Sequence, residues 1–238
     1  MNPDRSSKTS RRARLSAGAL FLFIFSGVAA VSAPSPSPTP VAGKARVVDG
    51  DTLEIDGERV RLEGIDAPET TQTCGSASGG QWPCGRAATQ SIRAQIGERD
   101  VTCDRRGADK YGRTLAICFA DGVNLNEAMV KRGFAWAFVK YSNEFVAAEQ
   151  EARAAKIGVW QGPAEAPWDV RHKAWQTAES SAPNGCAIKG NISEGGHIYH
   201  APWSAWYDKV RIDEARGERW FCSEADAVAA GWRPAAAP

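Results

Sequence analysis

Asp49, Asp51, Asp66 and Glu69 fall close together in the chain, with Arg61 among them. Carboxylates crowded this closely repel one another unless positive charge sits among them. A hard divalent cation is one answer, because Ca²⁺ prefers carboxylate and carbonyl oxygens. Asp51 and Asp66 are the candidate direct ligands, and Glu69 is placed to reach a metal-bound water. Arg61 offers an anionic substrate its planar fork of donors. Metal, carboxylate and arginine together suit phosphoryl transfer, where catalysis is mostly positioning and charge neutralisation. The plainer alternative is a polar surface hairpin with ordinary turn aspartates.

The elements that hold these residues are legible. Leu53-Glu54-Ile55 and Glu58-Arg59-Val60-Arg61-Leu62 alternate apolar and polar, the pattern of half-buried strands. Asp56-Gly57 between them predicts a two-residue hairpin turn that pairs Leu53 with Val60 and Glu54 with Arg59. Alternation then puts Arg61 on the face of Thr52, so a site shared with Asp51 requires the ladder to break near Gly50, where a bulge is inexpensive. Pro68 stiffens the loop from which Glu69 projects.

Downstream, Gly85 to Ile96 reads as a helix stopped by Gly97, and Val101–Arg105 with Thr114–Phe119 as a second hairpin. Asn126 is placed to cap a short helix ending at Gly133. Phe134 to Val139 looks strand-like, and a longer helix capped by Ser142 or Asn143 runs to Ile157. Strands interleaved with short helices suit a closed barrel with helices on its flank.

Asp109-Lys110-Tyr111-Gly112-Arg113 adds a second charged turn. With Asp49-Gly50-Asp51-Thr52, Arg61-Leu62, Ile65-Asp66-Ala67-Pro68-Glu69 and Val123-Asn124-Leu125-Asn126-Glu127-Ala128-Met129-Val130 before Gly133, it makes the chain resemble the staphylococcal nuclease (thermonuclease) family, from about Lys44 to Trp160. The resemblance implies a five-stranded OB-fold barrel with packed helices (mainly β, α+β) that hydrolyses DNA and RNA with Ca²⁺ and leaves 3′-phosphate ends. By position it makes Arg61, Arg113 and Glu69 the catalytic residues. Asp51 and Asp66 become the calcium carboxylates, and Ala67, where the family often has Thr, supplies a backbone carbonyl. Lys110 and Tyr111 match residues of the phosphate pocket. Glu69 accepts the attacking water's proton or orients the water. A monomer is expected.

Residues 1–33 combine a basic start with an apolar stretch that has Phe21-Leu22-Phe23-Ile24-Phe25 at its heart and small residues at its end. They read as a secretory signal or, if uncleaved, a membrane anchor, so the protein is expected outside the cytoplasm, in the cell envelope or medium. Residues 34–43 are a Pro/Ser-rich linker. The first 14 residues hold five cations and one anion and residues 15–43 no charge, so without them the formal +1 falls by four to −3. Affinity for nucleic acid must then come from a local basic cleft. Arg105, Arg106, Lys110 and Arg113 are its candidates.

Six cysteines behind a secretory signal point to disulfides. Locality favours Cys74–Cys84, the two arms of one hairpin bring Cys103 to Cys118, and Cys186–Cys222 would then close a C-terminal unit. The nuclease domain is assigned to residues 44–171, a linker to 172–185 and a small α/β unit to 186–233, which resembles the sunset domain appended to some secreted bacterial nucleases. Ser223 with Asp226 reads as a capping box there. Trp203, Trp206, Trp220 and Trp232 could stack on sugars or bases, or fill the core of a domain this small. The core is the expected role for most of them. Cys186, His197, His200 and Cys222 form a weaker zinc alternative. The rival to a nuclease is a catalytically silent protein that binds nucleic acid or cell envelope.

Overall fold

The computed structural model describes residues 39–235, so the signal or anchor segment lies outside them. Five strands of the six-stranded main sheet form the barrel: β1 (Val41–Val47), β2 (Thr52–Ile55), β3 (Glu58–Leu62), β4 (Asp100–Ala108) and β5 (Thr114–Ala120), with the two-residue strand Val123–Asn124 paired to the outer edge of β5. Their order is β3-β2-β1-β4-β5, and parallel pairing of β3 with β5 closes the barrel. The hairpin register is the one that alternation dictates, with Leu53 opposite Val60 and Glu54 opposite Arg59. Asp56 and Gly57 both take positive φ, 50° and 80°, as a turn matching the strands' twist requires.

The inward set Leu53, Ile55, Val60, Leu62 and Val101 is fully buried. It packs against Ile92 and Ile96 of α1 (Cys84–Ile96) and Met129 of α2 (Leu125–Lys131). α3 (Val146–Ala154) follows. Cys103 and Cys118 sit opposite each other on β4 and β5 and are bridged, and the Cys74–Cys84 and Cys186–Cys222 disulfides are also formed.

Some expectations are corrected. Asn124, not Asn126, caps α2 by accepting from the Glu127 amide at 3.1 Å. Asn126 is buried instead, accepting from the Cys118 amide and donating to the carbonyls of Glu63 and Ala116. Only Trp136–Ala137 of the expected strand pairs, with Ile65–Asp66. α3 starts at Val146, with Phe145 rather than Ser142 or Asn143 at its N-cap, and stops at Ala154. Much of the stretch read as a linker is helical, α4 (Pro167–Ser181). Its polar composition hides it because only Pro167 and Ala178 are buried.

The C-terminal unit holds β6 (Ile188–Ser193), β7 (Gly196–His200), β8 (Arg219–Phe221), α5 (Glu224–Ala229) and β9 (Arg233–Pro234), with sheet order β8-β6-β7-β9. Ser223 caps α5 by accepting from the Asp226 amide. Of the four tryptophans only Trp232 is buried, with Ile188, Tyr199 and Phe221. Trp203 and Trp220 are half-buried and Trp206 is exposed, so most of them are not core. The disulfide leaves no cysteine free for zinc, and no metal-binding group of three or more His, Cys, Asp or Glu residues occurs among the described residues.

Candidate functional site

The ladder between β2 and β3 ends at Thr52 opposite Arg61, and Asp51 stands just outside it in the turn from β1. There the Leu62 amide donates to the Asp51 carbonyl at 2.8 Å. That bond keeps the register of the ladder, with Asp51 opposite Leu62, and from the turn after β1 the Asp51 carboxylate still meets the Arg61 guanidinium. Gly50 serves a different purpose from the expected bulge. A Cβ there would lie 2.7 Å from the Ala67 Cβ and 3.0 Å from the Ala88 Cβ, so only glycine lets the turn lie this close to both.

Asp66 is held by the pairing of Ile65–Asp66 with Trp136–Ala137 and is fully buried. Arg61 Nη2 donates to its Oδ1 at 2.8 Å. Asp51 Oδ2 accepts from the Ala67 amide at 2.8 Å. Arg61 therefore bridges the two aspartates. Burial raises the pKa of Asp51; Arg61 opposes this and Asp49 adds to it.

The loop carrying Glu69 is braced by Gln72. Its side chain accepts from the Glu69 amide at 3.1 Å and donates to the Glu165 carbonyl at 2.7 Å. Gly85, at the start of α1, lies against the same loop, where an added Cβ would fall 1.7 Å from the Glu69 carbonyl oxygen.

Arg171 of α4 enters this cluster and was not foreseen as part of it. It donates to Asp66 Oδ1 at 3.1 Å, to Asp66 Oδ2 at 2.7 Å and to Glu69 Oε1 at 2.6 Å. Burial works to lower the pKa of Arg171, but its bonds to Asp66 and Glu69 prevail and raise it. Glu69 is pushed up to about 8 by burial, with Arg171 opposing and Asp49 and Asp66 adding to the rise.

Glu69, Asp49, Arg59, Tyr111 and Arg113 line one cleft of about 170 Å³. Arg113 is steadied by Asp109, with Nε to Oδ2 at 2.6 Å. The same aspartate accepts from the Tyr111 and Arg113 amides, which fixes the turn. Tyr199 and Trp203 of the C-terminal unit line the cleft too; of the two, only Trp203 is among the residues the sequence offers for stacking. Of the remaining candidates for a basic cleft, Arg105 is occupied by Glu58 and Thr114. Arg106 and Lys110 are exposed. The Lys110 ammonium lies 4.8 Å from the Tyr111 ring centroid, outside the cleft lining.

The donor chemistry suits a hard cation. Asp51, Asp66 and Glu69 present only oxygens, the donors a hard cation prefers. Three carboxylates here meet two arginines, Arg61 and Arg171, so the cluster carries net negative charge. In the arrangement found, however, the Asp66 oxygens are occupied by arginine and those of Asp51 by Arg61, Thr52 and a backbone amide. A cation bound by both aspartates would have to displace arginine contacts.

Comparison with known proteins places this geometry. Residues 59–162 match the family model described as staphylococcal nuclease homologue, and residues 169–234 match the one described as ArfC, which covers the unit read from sequence as sunset-like. The succinoglycan biosynthesis protein ExoI of Rhizobium meliloti is 36% identical over 128 residues, 52% of this chain and 67% of that protein. An uncharacterized endonuclease of Escherichia coli O157:H7 is 35% identical over 136 residues, 54% of this chain and 82% of that protein. The micrococcal nuclease of Shigella flexneri is 32% identical over 157 residues, 58% of this chain and 82% of that protein. The barrel with its Asp51, Arg61, Asp66, Glu69 and Arg113 cluster, together with these relatives, makes this chain a member of the staphylococcal nuclease family.

Proposed function

We propose that the protein is an exported, Ca²⁺-dependent nuclease that hydrolyses phosphodiester bonds of DNA and RNA and leaves 3′-phosphate ends. The observation that carries this reading is the convergence of Glu69, Tyr111 and Arg113 on one cleft, beside the cluster of Asp51, Arg61 and Asp66. The relatives named as nucleases support it.

Asp51, Asp66 and the carbonyl of Ala67 would hold the cation, which supplies Lewis-acid polarisation of the phosphoryl oxygen when bound. Glu69 accepts the attacking water's proton or orients the water. Burial raises its pKa, which makes its ionised form a stronger base for the first task. Arg113 meets the phosphoryl oxygens from the cleft wall, and Arg61 adds its charge beside the two aspartates. Tyr111 and Lys110 lie along the approach of the substrate's phosphate. The basic, apolar segment at residues 1–33 directs export, by cleavage or as an anchor, and the enzyme acts as a monomer.

The test is cleavage of single-stranded DNA and RNA by the purified protein, with Ca²⁺ and with chelator, beside Glu69→Gln. Calcium-dependent cleavage that the variant loses, with 3′-phosphate ends, supports the reading. A folded, disulfide-bonded protein that cleaves neither substrate overturns it.

A further inference from the structure

The C-terminal unit does not hang clear of the barrel. Tyr199 of β7 and the loop that follows it form one wall of the cleft whose other wall carries Glu69, Tyr111 and Arg113. Tyr199 is buried and fixed, its hydroxyl donating to Glu224 Oε2 at 3.0 Å. Trp203 is half-buried, and its ring lies 6.2 Å from that of Trp175 on α4. Ser204 beside it lines the cleft as well, and its hydroxyl has no hydrogen-bond partner among the described residues.

We infer that Trp203 is a substrate-binding residue of the nuclease site, a platform on which one unpaired base of the strand stacks while its phosphate lies toward Arg113 and Glu69. The inference rests on the nuclease reading for the identity of the substrate and adds a subsite built by the C-terminal unit. Three observations favour a single nucleotide as occupant. The cleft, about 170 Å³, is below the roughly 300 Å³ where ordinary ligand sites begin, so it has room for one base and not for a pair. Two arginines, Arg59 and Arg113, line it together with the rings of Tyr111, Tyr199 and Trp203, beside the carboxylates of Asp49, Glu69 and Glu224. Arginine with aromatic rings is the combination that holds single strands by phosphate contact and stacking. Finally, the tryptophan is braced by a second aromatic ring while remaining part-exposed, so little ordering is left to do when a base arrives.

The experiment measures binding of two fluorescent strands to the whole protein in chelator: an oligothymidylate and an abasic strand of the same length. The comparison is among the native protein, Trp203→Ala, Trp203→Phe and Trp206→Ala. Trp206 is exposed and does not line the cleft. The native protein is expected to bind the oligothymidylate about ten-fold more tightly than the abasic strand, the size of one stacking contact. Trp203→Ala should lose that discrimination while binding the abasic strand as before, and Trp203→Phe should keep most of it. Trp206→Ala should match the native protein.

Equal native affinity for the two strands overturns the inference. So does discrimination that survives Trp203→Ala. If Trp203→Ala unfolds, a Trp203→Phe variant with no preference for bases decides against the inference, and one with the preference retained supports it. Binding with base preference but no cleavage on adding Ca²⁺ would leave the stacking wall standing and remove the nuclease reading.

Discussion

Arg171 and Asp66 form a two-point contact across 105 residues of chain, with the two guanidinium Nη nitrogens bonded to the two carboxylate oxygens at 3.1 and 2.7 Å. Asp66 is fully buried and Arg171 largely so. The pair ties α4, beyond the barrel, to the loop that carries Glu69.

Removing Arg171 leaves Asp66 with Arg61 as its only contacting cation among the described residues. Arg171→Met should lower stability by about 3 kcal/mol, the low end for breaking a buried pair, since the arginine keeps some exposure. It should also free Asp66 for a metal. Thermal melts with and without Ca²⁺ check both, and calcium should raise the Tm of the variant more than that of the native protein. Equal calcium shifts would show that Arg171 does not compete with the cation.

Glu69→Gln keeps shape and removes the carboxylate. The expected kcat is about 10²- to 10⁴-fold lower, with KM within a few-fold of native, in steady-state cleavage of a labelled oligonucleotide. A kcat within a factor of about three of native would contradict a role in proton transfer.

The two cations of the 109–113 turn should differ sharply. Arg113 lines the cleft, whereas Lys110 is exposed beside it. Arg113→Ala is expected to lower kcat about 10²- to 10³-fold, as when one donor to a developing oxyanion is lost. Lys110→Ala should change kcat by less than about three-fold and act mainly through KM, which a salt series would reveal. Comparable kcat losses in the two variants would refute the difference.

Gly85→Ala tests the seating of the loop that carries Glu69. The added methyl would meet the Glu69 carbonyl oxygen at 1.7 Å, which either α1 or the loop must relieve by moving. A loss of about 2 kcal/mol or more is expected in denaturant unfolding, with activity falling further than the folded fraction does. Native activity in the folded fraction would show that Glu69 does not depend on this contact.

The C-terminal unit contains a pH-sensitive group. His200 is buried, its Nε2 lies 2.9 Å from Asn191 Oδ1, and burial followed by Lys189 lowers its pKa. The unfolded chain therefore takes up the proton more readily than the folded one. The stability that His200 contributes is full above the ordinary imidazole range near about 6.5 and declines as pH falls through it, by up to about 1.4 kcal/mol per unit. His200→Gln should flatten that part of the profile between pH 7 and 5 in chemical denaturation. An unchanged slope would contradict it.

The β2–β3 register was legible because Asp56-Gly57 and strict alternation leave one pairing open. The disulfides were legible because each cysteine has a close partner in sequence or in its own unit. The Asp51, Asp66, Glu69 and Arg113 set was legible through local motifs. Arg171, in contrast, sits in Arg171-His172-Lys173, which looks like any exposed helical turn. Its partners are 102 and 105 residues away, and no local period encodes such a contact. Asn124 and Asn126 both suit a cap by type, and only the fold decides that one caps while the other is buried. Trp203 carried two readings, core or stacking surface, and its partial exposure at the cleft separates it from Trp232.

The bond from Arg171 to Asp66 and Glu69 also orders events in time. A chain made from its N-terminus has the barrel's carboxylates long before residue 171 exists. Until then Asp66 has only Arg61, and Glu69 has no cation in contact. The charge pattern found around Asp66 and Glu69, and the wall that Tyr199 and Trp203 add to the cleft, arrive with residues 171–203. A chain made only as far as residue 170 carries Asp51, Arg61, Asp66 and Glu69, but neither the second arginine nor the second wall of this site.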